Sequence, residues 1–304
     1  MKALSLSEEV AEALAAGRPI VALESSVIAQ GLPRDVGPEA WRGWERAIRE
    51  LGAVPATTAI LGGRLAVGLS MDDIGRLADR SRGVAKAARR DLGPLAARGA
   101  DAGTTVSATL ALAHAAGIRV AATGGIGGVH RDFARLPDES ADLRSLAELP
   151  VALCCAGAKA VLDVPATLER LESYSVPVLG YGTSSFPAFY TESTDPALLL
   201  SERVDGPVEA ARALALHLAL GGGGALLAIP PPKVAGLSAA IVEAAAVAAV
   251  EAAEKAGLRG KAVTPFLLAE LIRLTGGLSL TANLGLLERN ARVAAEVAVA
   301  WPVD

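Results

Sequence analysis

Five short apolar runs, each bounded by glycine, proline or polar residues, alternate with longer helical patterns along most of this chain. They are Pro19–Leu23, Ile118–Ala122, Pro150–Ala156, Val176–Tyr181 and Ala225–Ile229, all rich in Val, Ile, Leu or Ala. Ala-rich helical patterns such as Pro38–Leu51, Thr105–Ala116 and Ala166–Tyr174 lie between them. Such alternation predicts an α/β fold with a largely parallel central sheet flanked by helices. Towards the C-terminus helices take over, at Leu237–Ala256, Pro265–Thr275 and Ala282–Ala300. No internal repeat or low-complexity linker interrupts the chain. The expectation is one α/β domain over residues 1–304, with a helical C-terminal cap from about 234. The run Gly221–Gly224 is either a boundary or a turn ahead of a strand.

Composition narrows the function classes. Hydrophobic residues make up 52% of the 304 positions but aromatics only 3%, so Ala, Val and Leu must build the core. A net charge of -4 and the lack of a basic stretch argue against a nucleic-acid partner. The least charged stretch, Ala213–Pro232, is broken by four glycines and three prolines and does not suit a membrane span. The start, Met1-Lys2-Ala3, lacks the apolar core of a secretion signal. Adjacent Cys154 and Cys155 read as buried thiols of a reducing compartment. A cytoplasmic enzyme acting on a small molecule is the expectation.

Lysine is rare. It occurs at Lys2, Lys86, Lys159, Lys233, Lys255 and Lys261, against 23 arginines. Arginine carries charge equally well but cannot form an imine. Lys159 follows the apolar run Pro150–Ala156 through Ala156-Gly157-Ala158, where ligands gather in parallel α/β folds. A helical pattern is expected from Ala160. Lys159 therefore reads as a Schiff-base nucleophile or as an ordinary helix-start lysine. Glu24 ends the run Ile20-Val21-Ala22-Leu23 and reads as a general acid–base group or as a strand-end acceptor.

Other positions carry weaker signals. Lys86 could hold a phosphate, although its setting reads first as the solvated face of a helix. The segment Thr123-Gly124-Gly125-Ile126-Gly127-Gly128-Val129-His130 follows a strand, where glycines let backbone N–H groups approach an anion. Its glycines do not fit a dinucleotide fingerprint, and His130 is a ligand contact or a structural histidine. Asp138, Glu139 and Asp142 pack three carboxylates into five residues, as a hard divalent cation or an acidic helix start would require. Asn283 and Asn290 share a helical face, and either could offer an amide to a nucleobase, although capping or solvent exposure is the default reading.

Taken in order along nearly the whole chain, these segments resemble the pseudouridine-5′-phosphate glycosidase family. The resemblance runs through Val21-Ala22-Leu23-Glu24-Ser25, Gly52-Ala53-Val54-Pro55-Ala56-Thr57, and Lys86 ahead of Arg89-Arg90-Asp91-Leu92. It continues through Gly103-Thr104-Thr105-Val106-Ser107, the glycine segment, Ser140-Ala141-Asp142-Leu143 and Cys155-Ala156-Gly157-Ala158-Lys159. Phe186-Pro187-Ala188-Phe189-Tyr190, Thr264-Pro265-Phe266-Leu267-Leu268 and Asn283 complete it.

The resemblance implies roles. Lys159 matches the nucleophile that forms an imine with C1 of the ring-opened ribose, and Glu24 matches the proton donor. Lys86, the backbone around Val106, and Ser140, Ala141 and Asp142 match positions that hold the sugar phosphate. Thr123, His130 and Asn283 stand as further substrate contacts. Asp138 matches a manganese ligand, with one Mn²⁺ per subunit and a homotrimer implied. The chain departs from the family pattern at Gln30 (usually His), Ser184 (usually Asp), Ala160 (commonly Ser) and Ile229-Pro230-Pro231-Pro232 (usually Asn-Pro-Ile-Pro). Two other readings fit the same residues: a Schiff-base lyase or aldolase acting on another phosphorylated sugar, and a non-catalytic sugar-phosphate-binding protein.

Overall fold

The computed structural model describes residues 4–302, except 132, 136, 194, 196–197, 235, 259 and 261–262, and except the side chain of Thr264. Lys2 and Lys261 lie outside the described residues. Eleven described strands form one sheet. They are β1 (Leu4–Leu6), β2 (Ile20–Leu23), β3 (Val54–Leu61), β4 (Arg64–Val67), β5 (Ala85–Ala87), β6 (Ala102–Thr104), β7 (Val120–Ala122), β8 (Ala152–Cys155), β9 (Val178–Tyr181), β10 (Glu202–Val204) and β11 (Ala225–Ala228). The order is β1-β4-β3-β2-β7-β8-β11-β9-β10, with β6 pairing β3 and β5.

All five expected strands appear, and they are neighbours: β2, β7, β8, β11 and β9 pair in parallel at the centre of the sheet. Val21 aligns with Val120, Ala121 with Leu153, and Leu227 with both Cys154 and Leu179. Both faces of β2, β7, β8 and β11 are buried, which is why their sequences run apolar rather than alternating. The remaining strands are harder to see in the sequence. β3 carries Pro55 one residue in from its start, and β5, β6 and β10 are only three residues long. β3 and β4 form an antiparallel hairpin closed at Gly62-Gly63.

Helices cover the sheet. Before residue 150 they are α1 (Glu8–Ala15), α2 (Gly37–Glu50), α3 (Met71–Ala78), α4 (Leu92–Ala97), α5 (Val106–Ala116) and α6 (Ala141–Glu148). After it come α7 (Val164–Ser173), α8 (Pro207–Ala219), α9 (Ala239–Lys255), α10 (Val263–Leu274) and α11 (Leu278–Val299). α11 packs against α2, α8 and strands β2, β7 and β8, while α6 joins α5 to α7 in a second layer. The C-terminal region is thus not only a cap, because α11 is one of the helices laid on the central strands. Its buried Ala282, Ala291, Ala294, Ala295 and Ala298 allow close approach, as the scarcity of aromatics demands.

The glycine run at 221–224 is a turn, since β11 beyond it inserts between β8 and β9 of the same sheet. A Cβ at Gly223 would lie 2.0 Å from the carbonyl oxygen of Ala147, so that approach admits only glycine. The helix expected from Ala160 begins instead at Val164. Asp163 caps it by accepting the N–H of Ala166 at 3.0 Å, and Pro165 occupies its first turn. Lys159 therefore stands on a loop. Lys86 lies on strand β5, not on a helix face.

Candidate active site

A cavity of about 320 Å³ opens beyond the carboxyl ends of β2, β7 and β8. Glu24 reaches it from the end of β2, Lys86 from β5, Lys159 from the loop after β8 and Asn283 from α11. His130, Asp138, Ser140, Ala141 and Asp142 complete one wall. These nine residues, with Gln30 and Glu139, were singled out from the sequence and share one space. Val106 and Thr123 do not line it: their side chains are buried behind it.

The Glu24 carboxylate is fixed from two sides. Ser26 donates its hydroxyl to Oε2 at 2.8 Å, and Thr123 donates to Oε1. Thr123 is held in turn by Asn290, whose Nδ2 donates to the carbonyls of Thr123 at 2.8 Å and Gly124 at 3.2 Å. Asn290 is fully buried and serves the loop, whereas Asn283 faces the cavity. Below Glu24, the hydroxyls of Ser25, Thr58, Thr104 and Thr109 form a buried network at 2.8–3.3 Å that ties the segment just after β2 to β3, β6 and α5. A π-helical turn at Val27–Gly31 follows directly, a rare element that recurs at functional sites.

Part of the glycine segment is tied down by its own backbone, while Gly124, Gly125 and Gly127 line the cavity. Ile126 donates its N–H to the Gly157 carbonyl, Gly127 to Asp142 Oδ2 at 2.9 Å and Val129 to Thr167 Oγ1 at 3.0 Å. These donors are spent on the protein itself. A Cβ at Gly127 would lie 2.4 Å from the Ser140 hydroxyl, so glycine there permits close packing. Asp142 also accepts the N–H of Ser107 at 2.9 Å, and Ser140 caps α6.

Positive charge gathers opposite. Lys86 and Arg90 line the cavity, and α5 begins beside them with Thr105 and Ser107. The first N–H groups of a helix have no intrahelical acceptor and attract anions; at the start of α5 the Ser107 N–H is already taken by Asp142, and the backbone at Val106 beside it suits an anion although its side chain is buried. α5 has no acidic residue in its first turn. Among the described residues Arg90 makes no ion pair, while its neighbour Arg89 pairs with Glu148.

Of the three clustered carboxylates, two are committed. Asp142 holds backbone N–H groups, and Glu139 takes the Tyr174 hydroxyl at 2.8 Å and Arg170 at 3.1 Å. That bond raises the pKa of the Tyr174 phenol. Asp138 remains, its side chain 44% exposed and 3.9 Å from His130 Nε2. No group of three His, Cys, Asp or Glu side chains among the described residues is placed to hold a metal. A lone open carboxylate fits a hard cation that keeps most of its water shell.

Lys159 is half-buried, and its loop is pinned. Its N–H donates to the Ile126 carbonyl at 3.1 Å, and Arg131 holds the next carbonyl, that of Ala160, at 3.0 Å. Cys154 and Cys155 are free and buried within β8, and burial pushes the Cys155 thiol up to about 12. Neither is a nucleophile at neutral pH.

The model of the indigoidine synthase A-like protein family matches residues 9–300. The chain belongs to that family. Within it, the chain is 51% identical over 301 residues to the pseudouridine-5′-phosphate glycosidase of Herpetosiphon aurantiacus, covering 99% of this chain and 98% of the relative. It is 52% identical over 292 residues to that of Gemmatimonas aurantiaca, covering 96% and 94%. Two solved structures share the fold. Prealnumycin C-glycosynthase AlnA in complex with ribulose 5-phosphate has a TM-score of 0.89 at 40% identity, covering 99% of this chain and 97% of the other. An indigoidine synthase A-like protein from Thermotoga maritima has a TM-score of 0.87 at 32% identity, covering 97% and 95%.

Several cavity residues of this indigoidine synthase A-like chain had drawn no role from the sequence. Ser26 and Arg90 lay inside quoted or neighbouring segments, but nothing in their spacing separates them from surface residues. Phe189, buried with φ of 65°, lines the cavity in an uncommon backbone conformation. Among the described residues no helix is long and apolar enough to cross a membrane.

Proposed function

We propose that this chain is a pseudouridine-5′-phosphate glycosidase that reversibly cleaves the carbon–carbon glycosidic bond through a Schiff base on Lys159. The observation that carries the reading is the convergence of Lys159, Glu24 and the Lys86–Arg90 end on one cavity, in a chain about half identical to proteins of that name.

The base is attached through carbon, so protonating a nitrogen cannot release it. Covalent catalysis divides the task. The neutral amine of Lys159 bonds to C1 while Glu24 gives a proton to the departing ring oxygen, opening the ribose. Glu24 then takes a proton from the new ammonium and delivers it to C5 of the base. The nitrogen lone pair forms the imine as the C1–C5 bond breaks, and its electrons restore the C5–C6 double bond of uracil. Water hydrolyses the protonated imine to ribose 5-phosphate and returns the proton to Glu24. Ser26 and Thr123 hold the Glu24 carboxylate for these transfers.

Lys86, Arg90 and the start of α5 hold the phosphate, with Ser140 and Ala141 on the facing wall. Asn283 and His130 contact the substrate. Asp138 would hold one Mn²⁺ per subunit together with water, and the bound dication would supply positive charge beside the anionic substrate. A cytoplasmic homotrimer accords with the free thiols and with Leu216 and Leu220, left exposed on and beside α8. Light scattering in solution tests the trimer.

Incubating the protein with uracil, ribose 5-phosphate and Mn²⁺ tests the reaction. Pseudouridine 5′-phosphate in the mass spectrum is the expected product. Its absence from a folded, metal-loaded preparation would favour the lyase reading.

A further inference from the structure

Gln30 stands on the π-helical turn at Val27–Gly31, six residues beyond Glu24, and lines the cavity. Its Nε2 donates to the carbonyl of Val84 at 3.1 Å and to that of Ala85 at 3.3 Å. Both precede Lys86 directly in the chain. Its Oε1 is buried and has no partner among the described residues. A desolvated amide oxygen without a hydrogen bond is costly, so the polar head of Gln30 is held by its two donor bonds alone.

Those two bonds fall on a weak part of the sheet. β5 has three residues, and its one strand partner is β6, with Ala85 opposite Ala102 and Lys86 opposite Gly103. Such a short edge strand has little ladder to hold its register. Beyond it the chain is fastened again, where Ala88 donates to Asp91 and Arg89 donates its N–H to Ser107. On the other side of Lys86 the Ala85 N–H donates to the Asp101 carbonyl at 2.9 Å, and Gln30 adds the two side-chain bonds that reach this segment from the Glu24 loop.

We infer that Gln30 is a positioning residue for Lys86, joining the loop that carries the proton donor to the strand that carries the phosphate-binding lysine. The inference rests on the proposed reading of the cavity as a sugar-phosphate site. It assigns Gln30 to affinity for the phosphorylated sugar and not to the chemical step.

The test is a double-mutant cycle on the full chain, with ribose 5-phosphate binding followed by calorimetry and turnover at saturating substrate alongside. Gln30→Ala, and the isosteric Gln30→Glu that loses both donors, should each weaken ribose 5-phosphate about tenfold. In Gln30→Ala the turnover number should change less than about threefold, and Tm little. Lys86→Ala should weaken binding further, and adding Gln30→Ala to it should cost almost nothing more, because the two act as one unit. Unchanged affinity in folded Gln30→Ala, or effects that simply add, would overturn the inference alone. A wild-type chain that fails to bind ribose 5-phosphate would overturn the reading of the cavity as well.

Discussion

Asp142 accepts the backbone N–H of Ser107 at 2.9 Å, so a carboxylate at the start of α6 is locked onto the first turn of α5. Its other oxygen takes the N–H of Gly127 at the same distance. One buried side chain thereby sets the spacing of three cavity walls, and its charge is answered by donors. Asp142→Ala should leave both N–H groups without this acceptor, destabilise the fold by about 1–3 kcal/mol and weaken ribose 5-phosphate binding. Thermal denaturation and calorimetry check both effects.

Glu24→Gln keeps the shape of the side chain but removes the proton it cycles. The turnover number should fall about 10²–10⁴-fold, the usual contribution of a positioned acid–base group. Ser26→Ala should cost less, since Thr123 still holds one oxygen. Steady-state rates of pseudouridine 5′-phosphate cleavage separate the two variants.

Arg90→Ala should raise KM for ribose 5-phosphate at least tenfold while leaving KM for uracil within about threefold, because a guanidinium grips phosphate and not the base. The check is an initial-rate series in the synthetic direction with each substrate varied in turn.

A pH effect on stability comes from a carboxyl that does not line the cavity. Glu45 is buried on α2, where it accepts the Thr57 hydroxyl at 2.9 Å and pairs with Arg49 at 3.1 Å. Desolvation raises its carboxyl from 4.5 to about 7, against the opposing pull of Arg49. The folded chain thus binds this proton more tightly than the unfolded chain does. Its stabilising contribution is complete below about pH 4.5 and is lost as pH rises through about 7. Glu45→Gln, which stays neutral, should gain stability relative to wild type across that window. Denaturant titrations at several pH values measure the difference.

The sequence made the centre of the sheet legible for a physical reason. β2, β7, β8 and β11 are buried parallel strands, with β9 half-buried beside them, and such strands write themselves as unbroken apolar runs. β5 left no such mark, since Ala85-Lys86-Ala87 reads equally as helix, and its placement depends on Gly103 and Gln30 elsewhere in the chain. Lys159 and Glu24 were visible because each is a polar residue just beyond an apolar run. The helix expected from Ala160 failed because Asp163 and Pro165 are the stronger start signal. What local pattern could not reveal is mutual support. That Asn290 holds Thr123, and Thr123 holds Glu24, joins residues far apart in the chain, and only the fold brings them together.

The covalent claim has the most direct test. The folded protein is incubated with ribose 5-phosphate and borohydride, digested, and its peptides are mapped by mass spectrometry. A reduced ribose phosphate on Lys159, absent from Lys159→Ala, is the predicted result. No adduct, or an adduct confined to Lys86 or Lys233, would contradict the assignment of Lys159 as the nucleophile.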